Sequence, residues 1–196
     1  MTTSKGVKTG IKPLKALLVM MGIVALAVSL NPSTAHADDI KWKAKNGIVY
    51  ELDRDDRTAS VDRYRGNAST ITIASQVKYG GKTYKVNEID ERAFYQSKLT
   101  KVTIPASVKE IGESAFQGSK QLKSVTIKGA REIDERAFKN TWKLSTLVLP
   151  ATVQEIERNA FAYAGKNVAT TVKVPNNRVK NLVKKCSYFN ATVRVV

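Results

Sequence analysis

The chain has 196 residues, with 33 Lys+Arg against 17 Asp+Glu and a formal net charge of +16. Apolar residues make up 42% and charged residues 26%, a globular composition that excludes a wholly disordered chain and a polytopic membrane protein. One cysteine, Cys186, and one histidine, His36, exclude an internal disulfide and a thiolate-cluster metal site.

The first 37 residues read as an address. Lys5, Lys8, Lys12 and Lys15 precede a 15-residue apolar run from Ala16 to Leu30, which Asn31 and Pro32 break. Ala35 and Ala37 then place small residues where a signal peptidase reads, so a secretory signal peptide over 1–37 is expected, cleaved after Ala37. The run is short for a span, which needs about 20 residues, so no stable membrane span is expected after cleavage. Removal takes four lysines and the only histidine, leaving +12. A Ser-His-Asp or Cys-His centre and a His-ligated metal are then excluded. Cys186 is expected as a buried packing residue.

Residues 38–85 read as a β-rich N-terminal cap. Gly47–Leu52 and Thr58–Val61 flank Asp53-Arg54-Asp55-Asp56-Arg57, a hairpin whose acidic turn lacks the glycine and distal glutamate of a calcium loop. Thr70–Ile73 alternates as a first solenoid strand, and Val77–Val86 forms a second hairpin around Gly80-Gly81.

Residues 86–175 repeat. Phe94, Phe116, Phe138 and Phe161 are 22, 22 and 23 residues apart, and Ile89, Ile111, Ile133 and Ile156 keep the same spacing. An alanine precedes each phenylalanine. Leu99, Leu122 and Leu144 lead to Val102-x-Ile104, Val125-x-Ile127 and Leu147-x-Leu149, short half-buried strands by their alternation. Pro105, Pro150 and Pro175 end strands. Asp-Glu-Arg-Ala-Phe and Gly-Glu-Ser-Ala-Phe are expected as short helical turns, capped by Asp90 and Asp134. One such unit cannot enclose its own apolar side chains; four stacked copies can. Residues 176–196 then read as a C-terminal cap. Val179, Leu182, Val183 and Cys186 share one helix face, capped by Asn176 or Asn177, and Thr192–Val196 is a last strand.

The segment Leu99–Phe116 (LTKVTIPASVKEIGESAF) resembles the BspA-like (Treponema-type) leucine-rich repeats of bacterial surface proteins, whose unit runs Leu-x-x-Val-x-Ile-Pro-x-x-Val-x-x-Ile-Gly-x-x-Ala-Phe. Asp90, Asp134 and Glu157 stand where Gly112 matches that pattern, and Lys128 replaces the proline. The expected fold class is α/β: a right-handed leucine-rich-repeat solenoid with short parallel strands on one face and short helical turns on the other. A β-hairpin N-cap and a helical C-cap complete it. The resemblance implies a secreted or cell-surface bacterial protein of the adhesion class, binding host or matrix proteins.

No catalytic constellation or cofactor motif is present, so an enzyme is not expected. The candidate binding face is the outward side of the strands: Thr72, Lys101, Thr103, Ser124, Thr126, Thr146, Val148, Thr171 and Lys173. It is hydroxyl-rich and weakly basic and suits a protein or glycan ligand; the same residues also read as a threonine ladder that only favours strands. The second reading is electrostatic retention on an anionic cell-wall polymer, acidic glycan or extracellular nucleic acid. It rests on residues 158–196, which hold eight Lys+Arg and no acid, against +4 for 38–157. The candidate basic end is Arg178, Lys180, Lys184 and Lys185. Specific nucleic-acid readout is not expected, because no DNA- or RNA-binding motif is present. N-terminal sequencing of the exported protein is expected to begin at Asp38; an intact Met1 start would contradict the signal reading.

Overall fold

A computed structural model describes residues 40–196. The expected signal segment, with Ala35 and Ala37, lies outside the described residues. Three antiparallel strands come first: β1 (Ile40–Lys43), β2 (Ile48–Asp53) and β3 (Thr58–Tyr64). Alternation drives them, since Ile48, Tyr50 and Leu52 are buried while their neighbours are half-exposed. The Asp53 carboxylate accepts from the Asp55 and Asp56 amides at 2.8 and 2.9 Å. The acidic turn is thus self-capped, as Asx turns are. β4 (Thr70–Thr72) follows, then a hairpin of β5 (Gln76–Tyr79) and β6 (Lys82–Ile89). Gly80 and Gly81 turn it with φ of 55° and 74°, values that suit a primed hairpin turn.

From there the chain winds in about six turns, each contributing to two sheets. One sheet is six-stranded and wholly parallel: β4, β7 (Lys101–Ile104), β9 (Ser124–Ile127), β11 (Thr146–Val148), β13 (Thr171–Val174) and β14 (Thr192–Val195). The other runs from the N-terminal hairpin through β6 to the two-residue strands β8 (Glu110–Ile111), β10 (Glu132–Ile133) and β12 (Glu155–Ile156). Sequence alone does not mark these last segments as strands. Two residues are too few to show an alternation.

The turns after the second sheet correct the α/β expectation. They are not helical: the fold is a solenoid of strands, and among the described residues the one α-helix is α1 (Asn177–Lys184). Arg92, Ser114 and Arg136 have φ of 57°, 57° and 60°, a left-handed conformation that stops a helix at once. Asp90 and Asp134 therefore cap no helix; their carbonyls accept from Ala93 and Ala137 at 3.2 Å. Backbone bonding passes sideways instead. Phe94, Phe116 and Phe138 each donate an amide N–H to the next turn, to Ala115, Ala137 and Ala160, at 2.7 Å.

The core is one stack. Phe94, Phe116, Phe138 and Phe161 are fully buried, with successive ring centroids 4.7, 5.0 and 5.3 Å apart. Tyr64 extends the row at one end and Phe189 at the other, at 5.5 and 5.1 Å. Three buried hydroxyls bond backbone carbonyls: Ser119 donates to the Phe94 carbonyl, Thr141 to Phe138 and Thr170 to Leu144, at 2.7–2.8 Å. Turns also approach closely. A side chain at Gly129 would put its Cβ 2.1 Å from the Ala106 carbonyl oxygen, so only glycine fits there. At the C-terminal end the Asn176 side chain caps α1 by accepting from Val179, while Val179 and Val183 are buried.

Truncating the middle of the stack should be severe. Phe116→Ala is expected to cost about 3–5 kcal/mol, the usual range for a buried phenylalanine. Phe189→Ala, at the half-buried end, should cost clearly less. Urea denaturation followed by circular dichroism measures both; equal losses would contradict the packing described.

Candidate functional site

The parallel sheet sets its outward side chains in two continuous rows. Thr70, Lys101, Ser124, Thr146, Thr171 and Thr192 are in register, and so are Thr72, Thr103, Thr126, Val148, Lys173 and Arg194. Strand spacing puts neighbours in a row about 4.8 Å apart. All nine residues expected on this face fall in these rows, half-exposed or exposed, while the alternating Val102, Val125, Leu147 and Val172 are buried. Sequence reasoning missed Thr70, Thr192 and Arg194. The same alternation in TIT and TVRV carried the signal for them.

The second sheet presents a different chemistry. Glu88, Glu110, Glu132 and Glu155 form one in-register row. Within the repeats, every acidic residue lies in segments 88–91, 110–113, 132–135 or 155–157; the intervening stretches through the parallel sheet hold lysine and arginine only. Charge is thus sorted by face as well as by end. Crowding shows at Glu157, whose carboxyl is raised by burial and then by Asp134, Glu135 and Glu155.

One carboxylate group has the spacing of a metal site, Glu51, Asp62 and Asp90, with oxygens within 4.8 Å of one another. Cations of the chain already serve it. The Lys41 ammonium lies 3.3 Å from Glu51 and 2.8 Å from Asp62, and the Arg63 guanidinium 2.6 Å from Asp62. Burial alone would raise the Asp62 carboxyl, but hydrogen bonds from Arg63 and Lys41 together with their charges outweigh it and hold it below its ordinary value. Lys41 is raised by the hydrogen bond to Asp62.

The basic end is partly structural. Arg178 is exposed and donates from both terminal nitrogens to the Val153 and Ala151 carbonyls at 2.6 Å, tying the helix to the preceding turn. Lys184 sits in the last turn of α1, where a cation complements the helix dipole. Lys184 and Lys185 are exposed and Lys180 is half-buried. Cys186 is buried, and burial pushes its thiol up to about 12. No helix among the described residues is long and apolar enough to cross a membrane.

Parallel strands stacked at a fixed period, with one apolar side chain of each kind per turn, define a leucine-rich-repeat protein. Residues 67–168 match the BspA type leucine-rich repeat region in six copies, and the chain belongs to that family. The match begins at residue 67, ahead of the four units written from sequence, because β4 already occupies a strand position. No curated protein matches the chain. Among solved structures, a leucine-rich repeat protein from Bacteroides capillosus is 22% identical with a TM-score of 0.58, covering 79% of this chain and 98% of that one. A leucine rich cell surface protein from Faecalibacterium prausnitzii is 27% identical with a TM-score of 0.51, covering 71% of this chain and 46% of that one. A leucine-rich repeat protein from Bacteroides ovatus is 21% identical with a TM-score of 0.58, covering 76% and 37%. The chain therefore spans nearly all of the first and less than half of the other two.

A thiol raised to about 12 is protonated at neutral pH, and the thiolate is the nucleophile. Cys186 is expected to resist Ellman's reagent at pH 8 in the native protein and to react fully in guanidinium. Fast native reaction would contradict its burial.

Proposed function

We propose that this chain is a non-catalytic binding module, secreted or held at a bacterial cell surface. It engages a protein or glycan of the host or the cell surface, in the manner of an adhesin, through the outward rows of its parallel sheet. The observation that carries this reading is the continuity of those rows: twelve positions in register across six strands. Mostly short hydroxyls, they offer donors and acceptors on a rigid surface that pays little ordering entropy on binding. BspA-type repeat proteins are bacterial surface proteins and typically non-enzymatic, and the Faecalibacterium protein is described as a cell surface protein. Residues 1–37 serve in this account as the removed signal, 38–85 and 176–196 as the two caps, and 86–175 as the repeat body that carries the face.

Retention on an anionic polymer through the C-terminal end is the second reading, favoured by eight cations and no anion in residues 158–196. Lys180, Lys184 and Lys185 carry it; Arg178 is committed to backbone carbonyls.

Salt separates the two. Capture of a ligand from host and cell-wall extracts should persist from about 0.15 M to higher ionic strength if the face binds, since exposed charges are screened within about 8 Å already at 0.15 M. Lys101→Glu, Thr126→Arg or Val148→Arg should abolish that capture. Capture lost with salt, and lost when Lys180, Lys184 and Lys185 are neutralised, supports the second reading and contradicts the first.

A further inference from the structure

We propose a second binding site, separate from the strand face: the edge where the turns lead into the parallel sheet binds one chain of an acidic polysaccharide. Three shallow clefts open along this edge, at corresponding positions between successive turns. The first lies between Tyr64 and Asn67 on one turn and Tyr95, Gln96 and Lys98 on the next. The second lies between Gln96 and Lys98 and the following Lys120 and Gln121. The third, toward the C-terminal end, lies between Tyr163 and Lys166 and the following Tyr188 and Asn190. No aspartate or glutamate lines any of them. A fourth cleft, on the other side of Tyr95, is lined by Glu91, Glu113 and Arg136. The boundary between the acidic and the basic surface therefore runs along this row of turns.

Size and chemistry narrow the ligand. The three basic clefts measure about 240–300 Å³, at or below the lower end of pockets that bury a whole small molecule, roughly 300 Å³. The first two adjoin and suit successive units of a chain, and the third lies three turns further along the same edge. Turns rise by 4.7–5.3 Å, read from the phenylalanine centroids, a step comparable with one extended sugar unit.

Each cleft combines a lysine with a side-chain amide. The lysine pairs with a carboxylate or sulfate. An amide is donor and acceptor at once, and so is a sugar hydroxyl, whereas phosphodiester oxygens only accept. Aromatic rings stand along the same edge with one face already occupied. Arg92 lies 4.5 Å from the Tyr95 centroid, Lys120 lies 4.3 Å from Trp142, and Tyr163 stacks on Tyr188 at 5.3 Å. Tyr95, Tyr163 and Tyr188 remain 37%, 41% and 69% exposed. A pyranose ring packs its C–H face on such a rigid ring. A run of nucleic-acid bases needs ring faces open for successive stacking.

Titration calorimetry of the purified protein with heparin, hyaluronan, dextran and single-stranded DNA, at about 0.15 M salt, tests this. Heparin or hyaluronan should bind, heparin alone indicating sulfate and hyaluronan alone carboxylate recognition, and dextran should not. The double variants Lys98→Gln/Lys166→Gln and Tyr95→Ser/Tyr163→Asn should each weaken binding about tenfold or more, which is 1.4 kcal/mol. Asparagine is chosen because Tyr163 has φ 59°, a conformation asparagine tolerates. Glu132→Gln, on the opposite face, should change nothing. Unchanged thermal unfolding of the variants assigns the loss to the site, and the exposed lysine pair serves if the tyrosine pair does not fold. Dextran binding as tightly as heparin, DNA binding as tightly with the tyrosine pair without effect, or no binding of either acidic polysaccharide would each overturn the proposal. The strand-face reading stands or falls separately, on Thr126→Arg and Val148→Arg.

Discussion

No turn of this molecule can bury its own apolar side chains; each needs the next one. One turn supplies an isoleucine, an alanine, a phenylalanine, a leucine and two strand residues, too few to form an enclosed core. The phenylalanine row shows how the requirement is met. Each ring lies against its neighbour at 4.7–5.3 Å, nearly parallel, with interplanar angles of 2°, 3° and 10° between successive repeats. The Phe94, Phe116 and Phe138 amides are bonded to the neighbouring turn rather than within their own. Packing and hydrogen bonding thus run along the same axis. The ends of the row are closed by Tyr64 and Phe189, two residues outside the repeat motif.

A fixed period has a second consequence. It turns every position of the repeat into a row, so a residue preference within one unit becomes a property of a whole face. Glutamate at the start of each two-residue strand becomes a carboxylate row. Threonine and serine around each buried valine become a hydroxyl sheet face. In-register like charges are unfavourable; beside the row, the Glu157 carboxyl is raised first by burial and then by Asp134, Glu135 and Glu155. The acids of the repeats are confined to one side, which leaves the opposite side and the turn edge cationic without a large local excess.

Much of this is legible in the residues. The spacing of Phe94, Phe116, Phe138 and Phe161 gives the period, the valine and isoleucine alternation gives the parallel strands, and the Asn176-Asn177 pair marks the start of the closing helix, with the structure selecting Asn176 as the cap. The turns are not legible, because Asp-Glu-Arg-Ala-Phe suits a helix start equally well. What prevents a helix is a neighbour that takes the amide sideways, which no single unit reveals. The structural duty of Arg178 is hidden for a similar reason: its partners, the Ala151 and Val153 carbonyls, lie a full turn away. Charge read along the chain marked the C-terminal end. Only folding shows that it is also sorted by face.

Native-state hydrogen exchange at the amides of Phe94, Phe116 and Phe138 tests the dependence of each turn on the next most directly. These three amides cross between turns and are buried in the stack. They are expected to exchange only by global unfolding, with one common free energy equal to that from urea denaturation. Stepwise protection, with one of these amides exchanging at a much lower free energy than the others, would show turns that open independently and would contradict the account.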